Sequence, residues 1–318
     1  MMTRNDAARW LRERDSFVIL THRRPDGDTT GSAATLCRGL RQLGKSAWVL
    51  ENNEASPLLS GLLAGLTKNS VDEADTVVCV DVASPGMLPA ASEVLLPRIG
   101  LRIDHHGSAT SFTPAELVDA SAAACGEIVY DVLMELGVKL DQAMAKALYV
   151  AVSTDTGCFR YANTGAHTYR VAAACAETGA QLYPLTQELF DTNTLSKLRL
   201  QSWMVENALF LAGGRAAVCA IPKTLEQTVS KDDLEGIPGF LRSIEGVKIS
   251  ATLRELEDGG AKMSVRAIPG YDATLVCARF GGGGHKGAAG ASVKMPLEEA
   301  AQAVAKALTE VVEGGIDS

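Results

Sequence analysis

No stretch of this 318-residue sequence approaches the roughly 20 consecutive apolar residues that a membrane-spanning helix needs. Residues 1–14 (MMTRNDAARWLRER) are polar and charged and lack the apolar centre of a secretory leader. No membrane partner is expected, and a cytoplasmic location is. Also absent is any CxxC pair. The seven cysteines (Cys37, Cys79, Cys125, Cys158, Cys175, Cys219, Cys277) are scattered and odd in number. This argues against a disulfide frame or zinc knuckle, and for reduced thiols packed as small apolar groups. An excess of positive charge is missing too: 30 Lys and Arg stand against 38 Asp and Glu, a formal net charge of -8. A long nucleic-acid track needs many cations for its phosphates and is not expected. A short phosphorylated ligand stays open. Long internal repeats and low-complexity segments are lacking as well.

What the sequence contains is ordinary for a folded protein, 47% hydrophobic and 21% charged residues. Domains run about 100–200 residues, so the length predicts two. In the first half, apolar runs at residues 16–21 (SFVILT), 47–50 (AWVL), 76–80 (TVVCV) and 100–103 (GLRI) read as strands. They are continuously apolar rather than alternating, the pattern of parallel strands covered on both faces. Helical spacers, such as residues 31–43 before Gly44, predict βαβ units. Helices are expected at 125–136 and from an Asp141 cap towards Ser153. Residues 194–211 read as a helix between two domains. Beyond it the pattern changes to strands at 215–221, 248–256, 261–268 and 291–294, with Asp258-Gly259-Gly260 as a hairpin turn. A helix at 271–280 and a final amphipathic helix at 297–311 complete the second half. The expected class is α/β. An N-terminal domain (1–190) carries a mostly parallel sheet flanked by helices, a helical linker follows (191–213), and a smaller α/β domain (214–318) ends the chain.

The metal-type side chains fall where these strands end. The first run leads into Thr21-His22-Arg23-Arg24-Pro25-Asp26-Gly27-Asp28, the third into Asp81, and the fourth into Asp104-His105-His106. Ligands of open parallel sheets bind beyond the carboxyl ends of the strands. If these strands are parallel neighbours, one place collects His22, four aspartates and two more histidines. So many carboxylates repel one another and resist ionisation. Divalent cations remove the conflict, and mixed His and Asp donors suit manganese, magnesium, cobalt or iron rather than a thiol-loving metal. Asp155, in Thr154-Asp155-Thr156-Gly157, adds a further carboxylate. Six ligands with one bridging aspartate fit two cations about 3.5–4 Å apart, which acidify water and stabilise charge developing on a phosphate. Each piece alone reads blandly: Asp-Gly-Asp is a turn, His-His a surface pair, a terminal Asp a helix cap. The conjunction does not, because four of the five histidines (His22, His105, His106, His285) lie in these segments or in the glycine run at 281–290 (GGGGHKGAAG). His167 reads as structural.

The segment THRRPDGDTTGS, Asp81 after an apolar strand, the triplet Asp104-His105-His106, and STDTGCFRYANT resemble, in order, the four motifs of the DHH phosphoesterase superfamily. The glycine run resembles the signature of the DHHA1 domain that follows it. The motifs span residues 21–290, and the pattern is most similar to stand-alone nanoRNase/pAp-phosphatase members. The resemblance implies that His22 and Asp26 hold one metal, that Asp28, His105 and Asp155 hold the other, and that Asp81 bridges. It implies that Asp104 orients a histidine and that His106 contacts the scissile phosphate. Two divalent ions are implied, manganese first, with magnesium or cobalt as alternatives. Arg24-Pro25 stands where the family usually has Asn-Pro, at a position that is not a metal ligand.

In the second domain, glycines let backbone N–H groups approach an anion. The order His285-Lys286-Gly287 is not that of a Walker A loop. Through the resemblance, Gly283, Gly284 and His285 contact a terminal phosphate or nucleotide. Arg266, which shares a strand face with Ser264, matches a family arginine that grips substrate. Arg160 is a further candidate phosphate contact.

The activity expected is hydrolysis of short RNA oligonucleotides and removal of the 3′-phosphate of adenosine 3′,5′-bisphosphate (pAp), in a cleft too short for long RNA. Cyclic diadenylate or its linear product pApA is the alternative substrate. A non-catalytic RNA-binding module is the alternative of another class, and it predicts degenerate ligand positions. A homodimer is compatible with the sequence.

Overall fold

The computed structural model describes residues 2–107, 110–230, 232–234 and 236–314. The expected end of the second domain at residue 318 lies outside them. The chain divides into two compact units, Met1–Thr192 and Asn193–Ser318.

The first unit contains α1 (Arg4–Arg12), β1 (Phe17–Leu20), α2 (Gly27–Gln42), β2 (Ala47–Leu50), α3 (Pro57–Leu62), β3 (Thr67–Lys68), β4 (Thr76–Val80), β5 (Ile99–Asp104), β6 (Glu116–Val118), α4 (Cys125–Glu135), α5 (Gln142–Asp155), α6 (Ala166–Glu177) and α7 (Tyr183–Thr186). Its six strands pair in parallel in the order β3-β2-β1-β4-β5-β6. The continuously apolar runs are buried on both faces. Phe17, Ile19, Val78 and Val80 pack with α1, α2 and α4 residues such as Leu11, Leu36 and Ile128. Val18, Leu20, Val77 and Cys79 pack on the opposite side with Leu88 and Ile99. Strand order reverses between β1 and β4, and the crevice outside the carboxyl ends at such a point is where doubly wound sheets bind ligands.

One sequence expectation for this unit needs correction. Helix α2 starts at Gly27, not residue 31, because the Asp26 side chain accepts from the N–H groups of Asp28 and Thr29 and caps it. The first motif therefore sits on a helix start rather than in a loop. The strands β3 and β6 are too short to announce themselves in the sequence.

The second unit contains α8 (Leu195–Asn207), β7 (Leu209–Leu211), β8 (Ala216–Ile221), α9 (Lys223–Glu226), α10 (Ile237–Phe240), β9 (Ile249–Glu255), β10 (Ala261–Ala267), α11 (Ala273–Cys277), β11 (Gly283–His285), β12 (Ala288–Val293) and α12 (Leu297–Gly314). Its sheet order is β11-β12-β10-β9-β8-β7, with only β8 and β9 parallel. One face packs Leu253, Met263 and Val265 against α11 and α12. On β8, Ala217, Cys219 and Ile221 pack against Leu200 and Met204 of α8. The expected helix at 194–211 thus stops at Asn207. Ala208 turns extended (φ -73°, ψ 139°), and residues 209–211 pair antiparallel with β8. The expected helix at 271–280 shrinks to α11 and a single 3-10 turn, and β12 begins at Ala288 rather than 291.

Helices α2 and α5 approach closely at Gly31. A Cβ there would lie 2.3 Å from the carbonyl oxygen of Ala147 and 2.9 Å from the backbone nitrogen of Ala151. Overpacking costs about 1–3 kcal/mol, and backbone that cannot rotate away puts this contact at the upper end. The ~1 kcal/mol helical advantage of Ala over Gly does not offset it. Gly31→Ala should lower the urea midpoint of unfolding; an unchanged or raised midpoint would contradict the close crossing.

Candidate metal centre

His22 follows β1, Asp81 follows β4, and Asp104 ends β5, so the parallel register carries all three to one end of the sheet. Asp26 caps α2 and Asp28 lies in its first turn. Asp155 is the last residue of α5, which packs along α2. Asp28 is fully buried. Its two oxygens accept from the backbone N–H groups of Cys125 (2.6 Å) and Gly126 (2.9 Å) and from Ser32 Oγ (3.0 Å). The first two are the first turn of α4, whose dipole favours an anion.

The imidazoles interleave with these carboxylates. His22 Nε2 lies 3.4 Å from Asp26 Oδ1 and 3.5 Å from Asp81 Oδ2. His105 Nε2 lies 3.5 Å from the other Asp81 oxygen, 3.2 Å from Asp155 Oδ2 and 3.6 Å from Asp28 Oδ2. Asp81 therefore turns one oxygen to each of two clusters, His22–Asp26–Asp81 and Asp28–His105–Asp155. Within each cluster one donor atom per residue lies within 4.8 Å of the others. The buried Asp81 Oδ1 has no hydrogen-bond partner. An orphaned carboxylate oxygen between two such donor sets fits a divalent cation.

Asp104 faces the same place but is engaged differently. Its Oδ1 accepts from the backbone N–H groups of His105 (2.9 Å) and His106 (3.3 Å) and lies 2.7 Å from His106 Nδ1. His106 thereby keeps Nε2 for another partner. A third donor group, Asp81–His105–His106, shares Asp81 and His105 with these clusters, and the His106 Nδ1 that lies 3.5 Å from Asp81 Oδ1 is the nitrogen that Asp104 holds.

Electrostatics shows what the protein alone leaves unresolved. Burial raises the Asp28 carboxyl well above its ordinary range, and the charges of Asp81 and Asp155 add to this. Burial also raises Asp155, assisted by Asp81, against the hydrogen bond to His105. For His22, burial opposes the charged form, but the hydrogen bonds to Asp26 and Asp81 outweigh it and push the imidazole up to about 10. For His105 burial is likewise outweighed, by Asp155, Asp28 and Asp81, again to about 10. Without cations the cluster holds protons to balance its charge.

Of the residues singled out in the sequence, the structure gathers His22, Asp26, Asp28, Asp81, Asp104, His105, His106 and Asp155 at one site. His167 lies outside it, paired with Asp131 at 3.1 Å. Arg266, Gly283, Gly284 and His285 belong to the second unit. There the glycine run is not a loop: Gly283–His285 forms the edge strand β11. Arg266 pairs with Ala288, and Ala288 with His285, so the arginine and the histidine stand in one cross-strand row. Gly284 has φ 145°, and a Cβ on it would lie 2.6 Å from Ala288 O. The hairpin itself thus requires glycine there.

Three supporting residues escaped the sequence reading. Asn52 donates to Thr21 Oγ1 and to the carbonyl of His22. Glu116 and Arg102 form a pair behind Asp104, with Nη2–Oε2 3.2 Å. A charged residue inside the apolar run GLRI was the available signal for Arg102.

The sequence matches the DHH family, N-terminal domain, over residues 16–152 and the DHHA1 domain over residues 213–314. A bifunctional oligoribonuclease and PAP phosphatase NrnA of Thermus thermophilus is 33% identical, across 92% of this chain and 89% of that protein. The chain belongs to the DHH family. As such it is a phosphoesterase, a hydrolase, with a DHHA1 domain behind the DHH domain. A cyclic-di-AMP phosphodiesterase GdpP of Geobacillus thermodenitrificans is 25% identical across 96% of this chain, which spans 49% of that protein. Among solved structures, an exopolyphosphatase-related protein of Bacteroides fragilis shares the fold with TM-score 0.86 and 24% identity over 96% of each chain. No helix among the described residues is long and apolar enough to cross a membrane.

The pKa directions fix the sign of a pH effect on this DHH-family protein. His22 and His105 rise from 6.5 to about 10 on folding, so between those values the folded state holds protons that the unfolded state has released. That stabilisation is full below pH 6.5 and is lost as pH rises towards 10. Raised Asp28 and Asp155 act in the same direction at lower pH. A bound cation needs neutral imidazole and ionised carboxylate, so it replaces those protons and binds better as pH rises. Melting in EDTA should therefore fall in Tm from pH 6.5 to 8.5, while the increment from added manganese grows. A flat or rising Tm in EDTA would contradict the assignment.

Proposed function

We propose that this phosphoesterase uses two divalent cations, manganese first and magnesium or cobalt as alternatives, to hydrolyse short RNA oligonucleotides and to remove the 3′-phosphate of pAp. The observation that carries the reading is Asp81, whose two oxygens face two separate His/Asp clusters. The first cation is assigned to His22 and Asp26, the second to Asp28, His105 and Asp155, and Asp81 is shared. Bound there, the cations acidify a water and offset the negative charge that grows on the phosphate in the transition state.

The chain's own residues supply the rest. Asp28 keeps its place because the start of α4 grips both of its oxygens, which fixes its side-chain rotamer. Asp104 takes the Nδ1 proton of His106 and, by that hydrogen bond, favours the imidazolium form, whose Nε2–H is then left to donate to a phosphate oxygen. No separate general base is needed when the cations lower the pKa of water. In the second unit, the row Arg266–Ala288–His285 and the β11 backbone are assigned to the nucleotide or its terminal phosphate. The net charge of -8 supports a short substrate rather than a long nucleic-acid track. Seven cysteines without a disulfide among them support a reducing, cytoplasmic setting.

The name carried by the Thermus relative supports the short-RNA and pAp reading. The second reading, cyclic diadenylate or pApA, is supported by the relation to the Geobacillus phosphodiesterase. The two share their chemistry and differ in substrate. A panel of pAp, pApA, cyclic diadenylate and RNA of two to ten nucleotides, with manganese and with magnesium, separates them. The expected result is fast turnover of pAp and of the shortest RNAs, with ten-mers slow. Equal rates on ten-mers would overturn the short-substrate reading, and preference for the cyclic dinucleotide would favour the second. Because the cations contribute several kcal/mol of transition-state stabilisation, Asp81→Ala should lower kcat by about a hundredfold or more on every substrate. Retained turnover would remove the shared-ligand assignment.

A further inference from the structure

Arg102 is almost completely buried (1% exposed) and is among the largest fully buried side chains of the protein. A guanidinium is rarely found there unless paired, because desolvation must be offset by charge and hydrogen bonds. Its contacts reach strand β6 on one side and, on the other, the segments that follow Asp81 and Asp104. Nη2 lies 3.2 Å from Glu116 Oε2, its partner across β5 and β6. Nη1 donates to the carbonyls of Ala83 (3.1 Å) and Thr110 (3.0 Å), reaches Val82 O at 3.4 Å, and lies 3.9 Å from Asp104 Oδ2. The guanidinium carbon sits 4.7 Å from the centre of the Phe112 ring.

Val82 and Ala83 directly follow Asp81, whose backbone is left-handed (φ 59°). Thr110 follows the His105–His106 segment. Asp104 Oδ2 has no hydrogen-bond partner, and Arg102 Nη1 lies 3.9 Å from it, while Oδ1 holds His106. Resting on the phosphoesterase reading above, we infer that Arg102 is a positioning residue for the reaction. It clamps the turn after Asp81 and backs Asp104, so that His106 is presented to the phosphate in one orientation. It is enclosed in the protein and is not among the residues assigned to substrate or cation.

The test uses the full chain, saturating manganese and, as substrates, pAp and a diribonucleotide. Arg102→Met strands Glu116 without its partner and can fail to fold, so Arg102→Met/Glu116→Gln, which removes both charges together, is measured with it. Each variant is compared at a temperature below its own Tm. The loss expected is about 10–100-fold in kcat, the range seen when partners that orient metal-site residues are removed, with KM changing far less. A Tm decrease with kcat intact would overturn the inference. A double-mutant cycle with His106→Ala gives the sharper readout. If Arg102 acts through Asp104 and His106, adding Arg102→Met/Glu116→Gln to His106→Ala lowers kcat little further. Multiplying losses would show a merely structural role and overturn the inference. Absence of turnover in the unmodified protein would instead overturn the phosphoesterase reading on which it rests.

Discussion

The carboxyl end of the parallel sheet is organised around charge repulsion. In one cluster Asp26 and Asp81, and in the other Asp28 and Asp155, bring carboxylate oxygens within 4.8 Å of one another. Two like charges about 5 Å apart at an effective dielectric of about 20 repel by roughly 3 kcal/mol. The protein answers with fixed donors: the start of α4 for Asp28, the start of α2 for Asp26, and the imidazoles of His22 and His105 between the pairs. The backbone donors position the carboxylates without neutralising them, and the two imidazoles offset their charge only while protonated. The buried oxygen of Asp81 is left without a partner. Interior carboxylates held this way are stable only when a proton or a cation shares them, and the two His/Asp donor groups could hold a cation.

Much of this was legible in the sequence because parallel sheets obey a positional rule. A strand buried on both faces must be apolar throughout, so TVVCV and its neighbours stood out. A polar residue at the end of such a strand has left the core and reached the ligand-binding edge. His22, Asp81 and Asp104 were found by that logic. Asp28 was found as a residue but not as a structural fact. Its grip comes from Cys125 and Gly126, almost a hundred positions away, and nothing local to either segment encodes the meeting. Gly126 carries a trace of it, since a Cβ there would lie 2.8 Å from Ala151 Cβ and 3.5 Å from Asp28 Oδ1.

The second unit shows the opposite case, in which local grammar misled. Leu209–Leu211 continues an apolar pattern that suits a helix, but antiparallel pairing with β8 captures it as an edge strand. Tertiary context routinely overrides propensity for short segments. The glycine run has the composition of a loop, yet residues 283–285 complete the sheet on the opposite edge. Here glycine serves packing. Close backbone approach between β11 and β12 excludes a side chain at Gly284, and the same bare backbone is what an anion would need. Composition could not separate these two demands, because one residue type meets both.

Asp81 links the chemistry of the site to the stability of the fold. Its left-handed backbone (φ 59°) is a conformation that a non-glycine residue holds at a cost of order 1–3 kcal/mol. That cost persists only where surrounding contacts over-determine the backbone. Here they are visible: the Asp81 N–H donates to Ile103 O at 2.9 Å, and the two carbonyls that follow are taken by the buried Arg102. The turn points both carboxylate oxygens outward from the strand end, one to each His/Asp cluster. An ordinary extended residue at this position would continue along β4 and present its side chain to one face of the sheet. The strained turn, the buried guanidinium and the unpartnered oxygen therefore form a single arrangement. Each is unfavourable alone, and together they turn the two Asp81 oxygens to two separate His/Asp clusters, the arrangement on which the two-cation proposal rests.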